Sequence, residues 1–561
     1  MRLDKFIIGS AKNSPTHQFK NLKDITIDFD QDHWVTVVIG WNGTGKSNVL
    51  EALAIIFRDL IAKKRTPAFA FQLNYCMGAG ENLRHIHIDA DPDREKDAFL
   101  ICVADARKIK QNDLLHSEFD FGNNADKSRL GEPIKLTTFL NMDTEYLPRY
   151  VFSYYSGESS RMHEVFRPYL ESYDSKLRNG EDPGLKRLFY AMPVHSQFVL
   201  LAFLIQQSDV VRAFLDDHLG LDPVEGIESV LFVLRQPPWK SKAADGDPRF
   251  WNARGVVRDF LSRLYDIALA PVDISRRVST SLWNKETLQF KYLYVKDIDA
   301  LRRLVGNQEP AQFFRDLEST YVSELIEEVR IRIRLKKNDG SVTFRELSEG
   351  EQQLLTVLGL LRFTAENESL FLLDEPDTHL NPSWCVDYLN YLKSFVGQNS
   401  EGQDNSHIIL TTHNPLAIAE LVKEQVQILY RDPSTRTVLA ENPATDPKGM
   451  GFAGIITSDM FGLGSSLDKA TNTDLISLHQ LSTQATLSDV DRKELIAIRQ
   501  RLEGLDFNFG SRDRLEQEFL RARFDLTADG EIGGAIITPE NKQKALDALV
   551  ESLLSSLQGG S

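Results

Sequence analysis

The chain has 561 residues, of which 42% are hydrophobic and 26% charged, a balance that indicates several folded domains and excludes a disordered or fibrous protein. The formal net charge of −16 opposes general adhesion to nucleic acid or anionic lipid, so any contact with DNA needs a local basic patch. Three scattered cysteines disfavour a disulfide framework or a zinc site. The longest apolar stretch, Phe198–Ile205, is too short to span a bilayer and no signal peptide is recognisable, so we expect a cytoplasmic protein with no membrane partner.

Hydrophobic periodicity divides the chain into four parts. Strand patterns with one helix occupy the first part, at Ile25–Phe29, Trp34–Ile39, Asn48–Leu60 (the helix), His85–Ile88, Phe99–Val103 and Arg149–Tyr154. The second part has helical patterns at Phe198–Leu219 and Val256–Ala268. The third part contains a strand at Val329–Leu335, a helix at Gln352–Thr364 and apolar runs at Leu370–Leu373 and Ile408–Leu410. The tail is mainly helical, as in Asp489–Leu505 and Lys542–Leu557. We therefore predict an α/β protein with a first lobe over residues 1–158, a helical insertion over 159–323, a second lobe over 324–442 and a helical C-terminal region over 443–561.

A glycine-rich loop joins the second predicted strand to the first predicted helix. Its pattern, GxxxxGK[ST], is typical of loops whose backbone N–H groups surround phosphate oxygens at a helix N-terminus. We expect the lysine to reach the β- and γ-phosphates and the serine to bind Mg²⁺. The predicted nucleotide-binding residues here are Gly40, Asn42, Gly43, Thr44, Gly45, Lys46 and Ser47.

Two adjacent acids, Asp374 and Glu375, end the apolar run Leu370–Leu373. Taken alone they fit an exposed strand end. Together with the glycine loop they predict a division of work in which Asp374 holds Mg²⁺ and Glu375 acts as general base on the attacking water.

Two further positions have both a structural and a functional interpretation. Ser348 and Glu351 have the spacing of a helix capping box, which alone could explain them. His413 follows the apolar run Ile408–Leu410, and a lone histidine at such a place is commonly structural.

In their order along the chain, these four motifs resemble the ABC-type ATPases: GxxxxGKS, an LSGGQ-like loop at Leu347–Gln353, a strand ending in Asp-Glu, and a switch histidine. The resemblance implies a two-lobed P-loop ATPase head with ATP and Mg²⁺ as cofactors. It implies that Lys46, Glu375 and His413 are catalytic, and that Asp377–Asn381 meets a partner subunit. It also implies that Ser348 and Gly350, beside Glu351, contact the γ-phosphate of ATP bound to a second subunit, so that the protein acts as a homodimer or higher homo-oligomer. No residue can be assigned to the glutamine loop of the family.

The form GxNGxGKS and the segment Phe19–Leu22 are similar to the SMC, RecF and OLD group of this superfamily, and Lys46 and Ser348 are 302 residues apart, much farther than in transporter ATPases. Segments Tyr154–Glu158, Arg249–Leu261 and Asp459–Leu463 are similar to the ATPase subunits of Septu-type anti-phage systems, including those associated with retrons. This resemblance implies an ATPase that gates a separate HNH-type nuclease subunit, with the reverse transcriptase and nucleic acid of a retron as further partners.

Three other functions stay open at this point: a DNA-repair ATPase of the SMC or RecF kind, an OLD-like nuclease with its own metal site, and an ATP clamp that does not hydrolyse. For the nuclease, Asp489-Val490-Asp491 fits a helix cap better than a metal site, and Asp89-Ala90-Asp91 fits a turn. For DNA, alternation places Arg330, Arg332, Arg334 and Lys336 on one face of a strand, which suits a nucleic-acid patch or a solvated edge strand equally.

Overall fold

The computed structural model describes residues 1–505 except 31, 106–130, 158–159, 206–207, 223–225, 242, 280–284, 337–340, 365–366, 397–405, 464 and 483–487. The predicted helix Lys542–Leu557 lies outside the described residues. The chain divides into two compact units, residues 1–461 and residues 462–561. The predicted boundary at 442 therefore falls inside the first unit, because Ile455 and Met460 are buried in its core.

The predicted α/β class is confirmed. In chain order, the strands β1 to β18 are Arg2–Ile8, Ile25–Asp28, Val35–Gly40, Phe71–Met77, Arg84–Ala90, Phe99–Asp105, Glu132–Ile134, Tyr150–Tyr155, Leu188–Tyr190, Ile227–Arg235, Leu269–Ser279, Lys285–Val295, Ile326–Arg334, Ser341–Thr343, Ser369–Asp374, Ser406–Thr411, Val426–Arg431 and Val438–Glu441. The helices α1 to α13 are Lys46–Ile61, Leu136–Met142, Arg161–Arg178, Pro193–Ile205, Asp209–Asp217, Gly255–Ile267, Ile298–Val305, Pro310–Val322, Glu349–Phe363, Pro382–Phe395, Gly451–Thr457, Lys469–Ser482 and Asp489–Glu503.

The central sheet of the first unit has the strand order β18-β17-β3-β16-β15-β8-β9 within the described residues, and its strands are parallel except for β18. Both faces are covered, which explains why the central residues Leu370–Leu373 of β15 and Ile408–Leu410 of β16 are apolar without alternation. Leu370 and Leu372 pack into the cluster that holds α1, whereas Phe371 and Leu373 pack into the cluster that holds α4 and α9. This burial fixes the register that places Asp374 at the end of β15.

An antiparallel sheet of order β2-β1-β4-β5-β6-β7 lies on the α1 side of the central sheet, and its inward residues share one core with α1. The buried side chain of His407 on β16 connects the two sheets. Its Nδ1 accepts a hydrogen bond from the N–H of Leu3 on β1 at 2.9 Å, and its Nε2 lies 3.2 Å from Thr36 Oγ1 on β3. Burial, with the charges of Arg2 and the N-terminal amine, lowers the pKa of His407 from 6.5 to about 3, so the ring is neutral.

The third sheet corrects the prediction of a helical insertion over residues 159–323. Strands β10, β11 and β12 from this segment join β13 and β14 in an antiparallel sheet of order β11-β12-β10-β13-β14. Its covered face packs on helices α6, α7 and α8. The helices α4, α5 and α6 agree with the predicted helical runs, the first of which corresponds to α4 and α5 together.

In the second unit, the described residues form the helices α12 and α13, whose apolar residues Leu481, Leu495, Ile498 and Leu502 pack together. The guanidinium of Arg501 on α13 donates two hydrogen bonds to the carboxylate of Asp474 on α12, at 2.7 and 2.9 Å.

Across the described residues, no single helix is long and apolar enough to cross a membrane. One bent pair, Pro193–Ile205 with Asp209–His218, meets that criterion only when its two helices are taken together.

Candidate functional site

Four parallel strands of the central sheet bring their carboxyl ends to one edge. In the register, Asp374 of β15 lies opposite Thr411 of β16 and Tyr155 of β8, and Thr411 lies opposite Val38 of β3. The segments that follow these strands are the glycine loop, Thr412-His413, Glu375 and the approach to Arg161. Because ligands of parallel α/β sheets bind at such an edge, the candidate site is defined by strand order as well as by the motifs.

The glycine loop leaves β3 and enters α1, as predicted. Gly40, Gly43 and Gly45 have φ values of 147°, 81° and 103°, a region open to glycine at little cost. A Cβ on Gly40 would stand 2.2 Å from the carbonyl oxygen of Leu429, so this position also has no room for a side chain. The loop therefore needs its glycines for both backbone conformation and close approach.

Two asparagines that the sequence analysis did not assign hold this loop in place. The side-chain amide of Asn21 donates to the carbonyl oxygens of Gly43 and Thr44, each at 3.2 Å. The amide of Asn48 donates to Asn21 Oδ1 at 2.6 Å. Asn21 lies in the segment Phe19–Leu22, and the similarity of this segment to the SMC, RecF and OLD group was the only sequence signal for it.

Lys46, His413 and Glu375 form a chain of contacts. Lys46 Nζ lies 3.0 Å from the carbonyl oxygen of Gly40 and 2.8 Å from His413 Nε2. The same His413 nitrogen lies 3.2 Å from Glu375 Oε1. One imidazole nitrogen cannot accept a proton from Lys46 and donate one to Glu375 at the same time, so the ring is shared between two alternative partners.

The charges of this group perturb one another. Burial lowers the pKa of Lys46, and the neighbouring carboxylates of Glu375 and Asp374 act against that shift. The hydrogen bond with His413 lowers the pKa of Glu375, helped by the charges of His413 and Lys46 and opposed by burial. Glu375 is therefore ionised at neutral pH, the form that a general base requires.

Glu375 also has an unusual backbone. Its φ is 51°, which is uncommon for a residue other than glycine, and its N–H donates to the carbonyl oxygen of Thr411 at 3.0 Å. This turn directs the side chain of Glu375 to His413, while Asp374 keeps the direction set by β15.

Asp374 is almost fully buried, and its Oδ1 accepts a hydrogen bond from Thr411 Oγ1 at 2.5 Å. Burial raises its pKa, and hydrogen bonds from Thr411 and from the Ser47 hydroxyl act against that rise. The hydroxyl of Ser47 and the carboxylate of Asp374 thus adjoin each other, an all-oxygen donor pair of the kind that Mg²⁺ prefers. The residues present fit the predicted magnesium site.

A cavity of about 330 Å³ opens at this edge. Its lining consists of Lys20, Asn21, Asn42, Gly43, Gly45, Lys46, Ser47, Asn48, Arg161, Glu375 and His413. Arg161 was missed by the sequence analysis because it belongs to no recognised motif. The signal that could have found it is its place just after β8, the strand beside β15. No glutamine stands at this strand end, where the sequence reads Tyr155-Ser156-Gly157.

Ser348, Gly350 and Glu351 lie at the start of α9 and do not line this cavity. Ser348 Oγ accepts from the N–H of Glu351 at 3.2 Å, and Glu351 Oε2 accepts from the N–H of Ser348 at 2.6 Å, which is the predicted capping box. A Cβ on Gly350 would stand 2.6 Å from the carbonyl oxygen of His379, so the predicted partner-facing loop packs directly on this helix start.

The two acidic pairs considered for a nuclease site have different surroundings in the structure. Ser488 caps α13 and exchanges hydrogen bonds with Asp491, so the predicted helix cap is confirmed. Asp91 lies after β5 beside His17 and Asp93, which the sequence analysis did not connect with it.

The basic stripe lies on a strand with two neighbours. Arg330, Arg332 and Arg334 are exposed, and β13 pairs with β10 along most of its length. On its other side β13 pairs with β14 only at Arg332, Ile333 and Arg334, so among the described residues the interpretation as an edge strand is wrong for that end alone. Arg330 is 2.8 Å from Glu328, which offsets part of the charge.

Two family models match the chain. Residues 17–144 match the family described as "AAA ATPase domain". Residues 226–419 match the family described as "AAA domain, putative AbiEii toxin, Type IV TA system". These matches include the glycine loop in one case and Asp374, Glu375 and His413 in the other, and they support an ATP hydrolase.

Two curated relatives indicate the group of ATPases to which the chain is similar. The Septu protein PtuA of Bacillus mycoides (strain KBAB4) is 23% identical over 169 residues, which are 28% of this chain and 23% of the relative. The Retron Vc95 probable ATPase of Vibrio cholerae serotype O1 biovar El Tor is 28% identical over 127 residues, which are 20% of this chain and 23% of the relative. The matches thus span under a quarter of the length of each relative. Together with the motifs, they support the resemblance to ATPases of the SMC, RecF and OLD group.

Among solved structures, the chain is similar to an SMC head bound to the C-terminal winged-helix domain of ScpA, with 11% identity, a TM-score of 0.32, and coverage of 79% of this chain and 98% of that one.

Proposed function

We propose that this protein is an ABC-type ATPase that dimerises on ATP and uses ATP binding and hydrolysis to gate a partner effector, a separate nuclease, in anti-phage defence. The ATPase part is supported by the arrangement of Lys46, Ser47, Asp374, Glu375 and His413 around one cavity. The defence part is supported by the relatives, whose names are those of a Septu protein and a retron ATPase.

The observation that carries the proposal of a dimer is that the cavity is lined by the glycine loop, Glu375 and His413 but not by Ser348 or Gly350. The resemblance to ABC-type ATPases implies that those two residues contact the γ-phosphate. If they do so here, a second copy must supply them, and each ATP lies between two chains. Gly350 and the carbonyl of His379 pack together, so the two predicted partner-facing segments form one surface.

Each residue then has a defined task in hydrolysis. The backbone N–H groups of Gly43 and Gly45 and the amine of Lys46 bind phosphate oxygens. Ser47 and Asp374 would hold Mg²⁺, which neutralises charge on the phosphates. Glu375 takes a proton from the attacking water. Phosphate oxygens attract Lys46 away from His413, and the His413 nitrogen is then available to donate to Glu375 or to the γ-phosphate.

The proposed partners are a second copy of the chain, an HNH-type nuclease subunit and, in a retron setting, a reverse transcriptase with its nucleic acid. We place the protein in the cytoplasm. The exposed arginines of β13 are the proposed contact for DNA. A DNA-repair ATPase is the alternative function, and it would act on DNA ends or gaps without a nuclease partner.

The deciding experiment is co-purification from cells that express this chain with its neighbouring genes, followed by nuclease assays with and without ATP. A nuclease that co-purifies and whose activity changes with ATP supports the proposal. An ATPase that purifies alone and is stimulated by DNA ends would instead support the repair function. A metal-dependent nicking activity of the isolated chain would support an OLD-like nuclease.

A further inference from the structure

His17, Asp91 and Asp93, side chains of the kinds that bind metal ions, lie together outside the lining of the nucleotide cavity. His17 ends the short helical turn Pro15–His17 after β1, and Asp91 and Asp93 lie in the turn after β5. His17 Nε2 is 3.2 Å from Asp91 Oδ1 and 3.2 Å from Asp93 Oδ2. One imidazole nitrogen and two carboxylates therefore face one another.

The imidazole nitrogen at the centre of this group has no hydrogen bond. The His17 ring is 1% exposed, and its buried Nε2 makes no contact with the geometry of a hydrogen bond, although two acceptors are near. A buried polar atom without a partner is costly. The other nitrogen, Nδ1, lies 2.7 Å from Ser10 Oγ, which orients the ring in the way that a hydrogen bond behind a metal-bound histidine does.

We propose that His17, Asp91 and Asp93 bind a divalent transition-metal cation through Nε2, Oδ1 and Oδ2. Bonds of about 2.1 Å separate neighbouring ligand atoms by roughly 3.0 to 3.4 Å, and the two distances from the imidazole nitrogen to the carboxylate oxygens, both 3.2 Å, lie within that range. All three ligand atoms lie within 4.8 Å of one another. A nitrogen with two carboxylates suits Mn²⁺, Fe²⁺ or Zn²⁺ better than Mg²⁺, which prefers oxygen ligands alone.

The surroundings hold the two carboxylates in place and add one opposing charge. Asp93 accepts hydrogen bonds from the hydroxyls of Thr16 and Ser14, at 2.9 to 3.1 Å. Burial acts to raise the pKa of Asp91, but hydrogen bonds from Lys12 and from the N–H of Asp93 lower it overall. Lys12 Nζ lies 3.0 Å from Asp91 Oδ2, the oxygen that does not face His17. The side chain of Lys12 is 66% exposed, so its amine competes with a cation without blocking the position of the cation.

This site would fasten the loop between β1 and β2 to the turn after β5. The same loop continues to Asn21, which holds the glycine loop. A bound cation would thus support the nucleotide cavity from outside it.

The test is a titration of the metal-stripped full-length chain with Mn²⁺, without nucleotide and in an Asp374→Asn background that weakens the magnesium site. Electron spin-echo spectroscopy of the bound Mn²⁺ then reports whether an imidazole nitrogen is a ligand. We expect one such Mn²⁺ per chain. Asp93→Asn, at a half-exposed side chain, should weaken binding at least tenfold, and Lys12→Met should tighten it several-fold by removing the competing charge.

His33→Gln is the matched control, since His33 also contacts a carboxylate, that of Asp30, and its loss should change nothing. His17→Gln should remove the nitrogen signal. Asp93→Asn keeps the proposal testable if His17→Gln does not fold. Three results would overturn the proposal: Mn²⁺ bound without nitrogen coupling, Asp93→Asn binding as tightly as its parent, or weaker binding in Lys12→Met. The group would then be a direct contact between the imidazole and the two carboxylates without a metal ion.

Discussion

Replacing Glu375 by Gln should stop hydrolysis and retain nucleotide. Gln has the same shape and tolerates the same φ of 51°, so the turn and the contact with His413 can persist. Loss of a general base typically slows a reaction by 10²- to 10⁴-fold, which corresponds to about 3–5 kcal/mol in the barrier. Removing a negative charge beside the phosphate site should also raise the affinity for ATP. Because the Glu375 side chain is 33% exposed, solvent screening limits this gain to about 1 kcal/mol, or roughly fivefold in affinity.

The assay is single-turnover hydrolysis of radiolabelled ATP, with nucleotide affinity measured separately. Light scattering should show that the stalled variant accumulates as an ATP-bound dimer. Glu441→Gln is the control, since Glu441 is an exposed glutamate on β18 outside the cavity. Hydrolysis by Glu375→Gln at the wild-type rate would show that another group is the base and refute the assignment.

Four further experiments test other parts of the structure. Lys46→Ala should abolish ATP binding, and a mixture of Lys46→Ala with Ser348→Arg should regain partial ATPase activity through one intact composite site; a mixture that forms heterodimers but stays inactive contradicts a shared site. Gly350→Ala should lower the melting temperature, since its Cβ would stand 2.6 Å from a carbonyl oxygen, and an unchanged melting curve would deny that contact. Burial raises the Asp4 pKa from 3.8 to about 6, so the carboxylate destabilises the fold increasingly as the pH rises from 4 to 6; Asp4→Asn should therefore stabilise by up to ~3 kcal/mol at pH 8 and by nothing below pH 4, as melting at both values would show. A chain that ends after Phe461 should stay folded and bind ATP, whereas ending it at 443 should make it insoluble, because that removes buried core residues.

The sequence predicted those site residues whose chemistry is local. The glycine loop, Asp374 and Glu375 each follow a buried strand directly, so a motif and an apolar run were enough to place them. Arg161 and Asn21 reach the cavity through strand order and loop packing, which no spacing along the chain reveals. The same limit applies to His17 and Asp91, which are 74 positions apart.

Strands β11 and β12 were not predicted because the burial of their side chains does not follow the polarity of the residues. On β12, Lys291 is buried and pairs with Asp273 at 2.6 Å, whereas Tyr294 is 39% exposed. An alternation of apolar and polar residues is the signal for a half-buried strand, and here the ion pair reverses it. Of the helices that pack on this sheet, only α6 matches a helical run named from the sequence, Val256–Ala268.

The neutral ring of His407 has a consequence for motion. It joins β1 to β16 and β3 by contacts at both nitrogens, and it does so inside a core that the two sheets share with α1. Sliding one sheet past the other would leave these buried polar atoms unpaired, at a cost of about 1–3 kcal/mol each. We therefore expect the two layers to move as one rigid body during an ATPase cycle. If nucleotide state is passed on as proposed, the displacement would then arise on the opposite side of the central sheet, among the helices that follow Ser348 and Asp377.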